Sequence, residues 1–512
     1  MLNSTQHALR THIHQLLANK QLAEAHQQLV LRLQQNPHDH VSYFLLSEVN
    51  TAAGDLNKAV KLIEKALSIE PLNIYHLNLA KHLILRGEIS RATVHYKSAM
   101  ATQHYSALEL DTLANIATRL GYYDDALTFQ QSAYQLDKQT PQISYNLAVA
   151  LKVHGLFGEA KTLLKQLITE HEHYYQAHYS LAELNNTEEA KQHLNVLHPQ
   201  AKRVHTASDQ QAYFHSLALN YEHLNDYENA FKYFTHSKQA IAQQLNYQSQ
   251  QHRQFCQTLM RHSTHSQLSP SNSDFAPVFV VGMPRSGTTL VEKILNQSDE
   301  LQGIGELNDI AQLMQHGTQS NRVIDSEMFA KAYACADIHQ TITHYQQRAE
   351  KLSNTLRSCD KQPFNFYYID FILAAFPHAK IVCMQRNWHD CSVANYRQLY
   401  NPQSVFHHYS FTFYDIVAFH QDYTALATHF ATKYPKQVYL QSYEQLVEEP
   451  IKQTQKLYAF CNLNWQASCL AFYKNNAASA TASKKQIRQP LNKNSIGSWH
   501  NYAAFIDAGL FQ

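Results

Sequence analysis

Charge of either sign is nowhere in global excess: 42 Lys and Arg stand against 41 Asp and Glu in 512 residues, a formal net charge of +1. Without an overall field the chain has no electrostatic reason to recruit nucleic acid or an acidic membrane surface, so any anion site must be local. Cysteine is sparse. The seven positions (256, 335, 359, 383, 391, 461 and 469) make an odd count and form no C-x-x-C pair. This suggests neither a zinc site nor a disulfide framework and fits a reducing compartment. The 33 histidines lack H-E-x-x-H or similar spacing, so packed or surface histidine is expected instead of metal ligation. No apolar run approaches the length of a membrane span, and the start, MLNSTQHALRTH, lacks a basic region followed by an apolar core. The expectation is a cytoplasmic, unprocessed chain without a membrane span.

What is present is the composition of a folded protein, 44% hydrophobic and 16% charged, too long for one ordinary core. Gly54, Gly87, Gly121 and Gly155 recur at spacings of 33, 34 and 34, each followed five residues later by alanine (Ala59, Ala92, Ala126, Ala160). Lys20 with Ala25 keeps the same phase. Ala66, Ala99 and Ala133 add a second small residue, and Pro37, Pro71 and Pro141 fall after the second helix of a repeat. A 34-residue period of helix, turn, helix is the signature of tetratricopeptide (TPR) repeats. Asn185 with Ala190 and Asn225 with Ala230 keep the offset but not the spacing, which predicts two irregular repeats and an array over residues 5–246. Such an array presents a concave surface to a polypeptide, or extends the following domain without a partner. Residues 247–276 are expected as a linker, because THSQLSPSNSDFAP is rich in Ser, Pro and Asn with one charge.

The remaining chain is organised around PVFVVGMPRSGTTLVEKILNQS, residues 277–298. Val278 to Val281 read as a buried parallel strand, and Leu290, Val291, Ile294 and Leu295 recur at helical spacing. Strand, tight loop and helix N-terminus form a phosphate cradle, since the first-turn N–H groups are unpaired and the helix dipole is positive there. Gly282 and Gly287 match the glycines of G-x-x-x-x-G-K-[ST], but Thr288 stands where the lysine would be. Arg285 is the cation inside this loop. A nucleotide triphosphate needs the missing lysine, so the loop suits a different phosphate ester.

The motif P-R-S-G-T-T resembles the phosphosulfate loop of sulfotransferases, in the arginine version of tyrosylprotein sulfotransferases and the TPR-containing sulfotransferase family. The resemblance implies an α/β, P-loop-like domain with a central parallel sheet over residues 277–512, behind the all-α TPR solenoid. It further implies 3′-phosphoadenosine 5′-phosphosulfate (PAPS) as co-substrate, with no metal required. Residue by residue, Glu306 in the G-E segment would be the base, and Lys361 in D-K-Q-P-F-N would join Arg285 in catalysis. Ser483 in S-K-K-Q-I-R-Q-P would help hold the transferred group. Arg285, Ser286, Gly287, Thr288 and Thr289 would cradle the donor. Arg386, at the end of the strand A-K-I-V-C-M-Q, would take the 3′-phosphate. The family's serine eight residues further on is Ala394 here, which makes Ser392, Asn395 and Arg397 candidate replacements. Tyr443 opens a segment resembling Y-E-D-L near the nucleotide, which implies that it either donates to the 3′-phosphate or packs in the core. Lys474, Lys484, Lys485, Arg488 and Lys493 fall in a stretch with no Asp or Glu between 474 and 499, expected as an anion-covering flap in which Lys485 and Arg488 bind donor.

The reading is transfer of a sulfuryl group from PAPS to an acceptor hydroxyl or amine; peptide tyrosine, saccharide and small metabolite all remain as acceptors, and the TPR repeats mildly favour a polypeptide presented to the array. Its rivals are a non-catalytic TPR adaptor that retains the nucleotide fold and a P-loop nucleotide kinase.

Overall fold

The computed structural model describes residues 4–101, 105–266, 268–320, 322, 324–335, 337–353, 355, 357–474 and 486–506. Residues 1–150 and 151–512 cluster as two compact units. Among the described residues no helix is long and apolar enough to cross a membrane.

The first unit is built of helical hairpins: His40–Ala52 with Leu56–Ile69, Asn73–Leu85 with Ile89–Ala99, Ala107–Leu120 with Tyr123–Leu136. The periodic glycines end the first helix of each pair in the left-handed region, Gly54, Gly87 and Gly121 at φ of 85°, 78° and 87°. There a Cβ would be strained. Lys20 and Asn225 take the same conformation, both at φ 59°, so the phase predicted for them is real despite the missing glycine. Asn185 does not. At that repeat Asn186 opens the helix Thr187–Leu197 with a capping box, its side chain accepting from the Glu189 N–H at 3.0 Å. The alanines five residues after each turn are buried, Ala59 and Ala92 at 0% and Ala126 at 3% exposure, which lets the helices close on one another.

The expected boundary moves. The helices Ala207–His223 and Tyr227–Ala242 belong to the second unit, and the supposed linker holds a further helix, Ser249–His265. Phe234, Phe255 and Leu259 lie in the same buried cluster as Phe279, Ile381 and Phe419 of the sheet domain. The apolar stripe of Ser249–His265 is narrow and set among Gln and His, which hid it from the sequence reading. Its His252 is itself a core residue, with Nδ1 2.9 Å from an Asp422 carboxylate oxygen and Nε2 2.7 Å from the Tyr367 hydroxyl.

A buried histidine pair makes this helical region sensitive to acid. His178 Nε2 donates to the Glu172 carbonyl at 2.8 Å, so its Nδ1 must accept from His193 Nε2 at 2.9 Å. His193 Nδ1 in turn accepts from the Asn185 and Asn220 amides, both at 3.1 Å. No acceptor site is left for an added proton, and burial pushes the two pKa values from 6.5 down to about 4 and about 3. Above pH 6.5 both histidines are neutral folded or unfolded and their full contribution is present. As pH falls below 6.5 only the unfolded chain gains protons, and each histidine removes up to about 1.4 kcal/mol per pH unit until its folded pKa is reached. Urea unfolding between pH 7 and 4 should show this loss, and His193→Gln should flatten it.

The sheet domain follows the Ser/Pro/Asn-rich stretch. Strands β1 (Val278–Gly282), β2 (Leu301–Gly305), β3 (Arg357–Asp360), β4 (Lys380–Gln385) and β5 (Val438–Ser442) form one parallel sheet in the order β2-β3-β1-β4-β5. All three strands predicted from sequence are present, and β2 and β3 are additions. In register, Val278 to Gly282 oppose Lys380 to Met384, while Phe279 opposes Asp360. β1 is central and buried at every residue, as a parallel strand covered on both faces must be.

Candidate active site

Because the five strands run parallel, their C-terminal ends share one edge, where open α/β sheets hold ligands. The residue following each end is one the sequence singled out: residues 283–287 after β1, Glu306 after β2, Lys361 after β3, Arg386 after β4, Tyr443 after β5. A cavity of about 680 Å³ opens there, lined by Arg285, Gly287, Thr288, Thr289, Glu306, Arg386 and Tyr443 among others.

The cradle is shaped by close contacts. Arg285 sits at φ 69°, unusual for a residue with a Cβ and held by its surroundings. Arg386 Nη1 donates to the Arg285 carbonyl at 2.7 Å, and Asn395 Nδ2 donates to the Pro284 carbonyl at 2.7 Å. Gly287 caps the helix Thr288–Leu295 at φ 103°, and a Cβ there would stand 2.6 Å from Tyr443 Cδ2. Thr288 and Thr289 occupy the first helical turn, whose N–H groups have no helical carbonyl to reach. The Ser286 N–H is turned back onto the Met283 carbonyl at 3.1 Å. Its buried Oγ has no hydrogen-bond partner among the described residues. Burial, together with the guanidiniums of Arg386 and Arg397, pulls the Arg285 pKa below its ordinary value, so an anion beside Arg285 relieves an existing electrostatic cost.

Glu306 and Lys361 form an ion pair of unequal exposure: the lysine side chain is 1% exposed, the carboxylate 46%. Burial alone would lower the lysine pKa, but the charges of Glu306 and Glu292 outweigh it and hold the amine above its ordinary value. Glu292, from the helix Thr288–Leu295, also accepts from the Gly305 N–H at 3.2 Å. Behind the pair, burial raises the Asp360 pKa to about 8; its carboxylate accepts from Tyr345 at 2.9 Å and from the Gln362 N–H at 2.8 Å.

Arg386 is more engaged than a free phosphate fork. Its Nη2 donates to the Ser495 carbonyl at 2.6 Å and its guanidinium lies 4.7 Å from the Tyr443 ring centroid, while Nε is buried without a hydrogen-bond partner among the described residues. Ser392 does not line the cavity; it is buried in the helix Trp388–Tyr396, its Oγ unpartnered among the described residues. On that helix Asn395 steadies the loop and Asp390 steadies the tail, accepting from the Gly497 N–H at 2.7 Å and the Trp499 N–H at 3.0 Å. Arg397 pairs with Glu222. Arg488 also departs from expectation: it is absent from the cavity wall and its Nη2 donates to the Val153 carbonyl at 3.2 Å. Ser483 and Lys485 lie outside the described residues.

An aromatic wall was missed. Phe364 stacks on Phe406 with centroids 4.9 Å apart, and Tyr400 stacks on His407 at 4.4 Å, all four lining the cavity. Burial drives the His407 pKa down to about 4 against the pull of Glu306. Aromatic density over residues 396–414 was the available signal, but it carries no periodicity that assigns a face.

Comparison with known proteins agrees with this geometry. Residues 277–467 match the sulfotransferase family model, and residues 40–71 match that of the tetratricopeptide repeat. An Aquifex aeolicus (strain VF5) protein described as "Uncharacterized protein" is 29% identical over 295 residues, 56% of this chain and 39% of its own length. The chain thus spans about two fifths of that relative. A Caenorhabditis briggsae protein described as "Putative protein-tyrosine sulfotransferase" is 24% identical over 242 residues, 43% of this chain and 80% of its own. Among solved structures, YrrB, a TPR protein with an unusual peptide-binding site, aligns at 13% identity and TM-score 0.29, over 40% of this chain and 96% of that one. The APC/C hetero-tetramer Cut9–Hcn1 aligns at 15% identity and TM-score 0.37, over 45% of each chain. A lysine-free cradle on a parallel sheet, the ordered residues at its strand ends and the family match converge: the C-terminal half of this chain carries a sulfotransferase-family domain, behind a helical region that contains a tetratricopeptide repeat.

Proposed function

We propose that the sheet domain binds PAPS and moves its sulfuryl group to an acceptor hydroxyl or amine, with a protein tyrosine the leading candidate acceptor. The observation that carries this reading is the cradle itself. Thr288 and Thr289 of the first helical turn, Arg285 and Glu306 line one cavity, Lys361 is buried as the partner of Glu306, and a threonine replaces the lysine a triphosphate would need. The residues fit a phosphosulfate: the buried Ser286 Oγ is unpartnered among the described residues, and glycine at 287 lets the Tyr443 ring pack against the loop, where a Cβ would stand 2.6 Å from it. The candidate acceptor rests on the description of the Caenorhabditis briggsae relative, and the helical array is the surface on which a polypeptide would be presented.

The donor supplies the sulfuryl group and departs as adenosine 3′,5′-bisphosphate. Glu306, half open to the cavity, takes the proton of the acceptor hydroxyl as its oxygen bonds to sulfur. Arg285, Lys361 and the N–H groups of Thr288 and Thr289 face the electron pair released onto the 5′-phosphate. Lys361 is 1% exposed and held in its ion pair with Glu306, so its amine is fixed before that step. Arg386 and Tyr443 hold the loop against the tail.

The discriminating measurement is thermal stability with added nucleotide. Adenosine 3′,5′-bisphosphate at 100 times its Kd should stabilise the protein by about 2.7 kcal/mol, and ATP with Mg²⁺ should leave it unchanged. The opposite pattern would establish a kinase-like site.

A further inference from the structure

We propose that Arg488 is a positioning residue that fastens the cavity's outer wall to the helical hairpin at residues 153–157, so that affinity for the donor is set from the helical region. This rests on the donor site proposed above and concerns how that site is closed.

Ile487, Gln489 and Pro490 line the cavity, while Arg488 between them does not. Its side chain runs the other way. Nη2 donates to the carbonyl of Val153, the last residue of the helix Pro141–Val153, and the guanidinium lies 5.8 Å from the Phe157 ring centroid. A helix C-terminus presents carbonyls without helical partners and a negative dipole end, so a cation is favoured there. The planar guanidinium also suits an aromatic face.

Gly155 completes the seat. It has φ 79°, as a turn of this array requires, and a Cβ on it would stand 2.6 Å from Arg488 Nε. The matching turn glycine at 121 has φ 87° and nothing within 4 Å of a built Cβ. The two positions therefore share the backbone demand and differ in the arginine.

The other end of the wall is tied inside the sheet domain, through the Ser495 carbonyl on Arg386 and the Gly497 N–H on Asp390. With Arg488 released, residues 487–494 keep the packing of Ile487 and Leu491 and the ties at Ser495 and Gly497 but lose the tie to the helical hairpin. A loosened wall must be reordered when nucleotide binds, and that cost appears in the dissociation constant.

The test compares full-length wild type with Arg488→Ala, Arg488→Lys, Phe157→Ala, Gly155→Ala and Gly121→Ala. Adenosine 3′,5′-bisphosphate binding is measured by calorimetry, and amide hydrogen exchange over residues 487–495 is followed without ligand. Arg488→Ala, Phe157→Ala and Gly155→Ala should each weaken binding about tenfold and speed exchange in that segment. The Arg488→Ala/Phe157→Ala double variant should be no weaker than either single one, since both break the same contact. Arg488→Lys should fall between, and Gly121→Ala should match wild type in both readouts. Unchanged exchange and binding in Arg488→Ala and Gly155→Ala, or equal losses in Gly121→Ala, would overturn the proposal. If wild type itself fails to bind the bisphosphate, the sulfuryl-transfer reading falls, while the exchange comparison still decides whether Arg488 fastens this segment.

Discussion

Arg285→Ala is expected to lower the rate of sulfuryl transfer about a thousandfold, the range found when one preorganised donor is removed from a developing negative charge. Arg285 is the single cation within residues 282–289, and burial with neighbouring guanidiniums has already depressed its pKa. The side chain is therefore worth most when an anion arrives. Alanine keeps a Cβ at φ 69° and inherits the same backbone strain, so its stability should track wild type. Arg285→Gly removes that strain and should be more stable by about 1 kcal/mol, yet equally slow. Single-turnover transfer from labelled PAPS measures the rate and urea unfolding the stability. Wild-type rates in Arg285→Ala would reject the assignment of the cradle.

Glu306→Gln should also cost about a thousandfold in rate, because the amide cannot take the acceptor proton. Its second effect separates a catalytic pair from a structural one. Removing the carboxylate leaves Lys361, 1% exposed, without its principal counterion, and a loss of about 1–3 kcal/mol of stability is expected. Lys361→Met reverses the situation: the remaining carboxylate is 46% exposed and keeps water, so stability should change by less than about 0.5 kcal/mol while transfer collapses. The double variant should recover the stability lost in Glu306→Gln, since no uncompensated amine remains. Equal stability losses in both single variants, with transfer retained, would make the pair a structural tie.

Much of this architecture is legible in the amino-acid sequence. The array announced itself through glycine and alanine because a left-handed turn and a close helix approach each admit few residue types, and both restrictions are local. Lys20 and Asn225 show how far the phase extends, since they hold φ 59° without being glycine. The cradle was readable for the same reason: strand, glycines and helix lie within residues 277–298. Strands β2 and β3 were not assigned, because LQGIG and RSCD carry glycine and polar residues in place of the apolar runs of β1 and β4.

Positions that depend on distant partners were read less well. Arg488 was expected at the donor because it sits in a basic stretch, yet a single change of face along residues 487–489 sends it to Val153. Ser392 was taken from proximity to Ala394, but the helical turn buries it, and Asn395 one turn on reaches Pro284 instead. The helix Ser249–His265 falls within the expected linker because the Ser/Pro/Asn-rich stretch that marks the boundary begins only at its last turn. In the fold His252 is satisfied by Asp422 and Tyr367, two residues more than a hundred positions away.

The amino-acid order by itself determined the repeat phase, strands β1, β4 and β5 and the phosphate-cradle loop, all set by backbone sterics and periodicity over a few dozen residues. Only the tertiary structure decided which helices share the sheet domain's core, that Glu306 pairs with a buried Lys361, and that Arg488 faces away from the cavity. Those outcomes turn on burial and on hydrogen-bond partners brought together by a parallel sheet, whose strand order 2-3-1-4-5 places at one edge residues that the chain scatters over 160 positions.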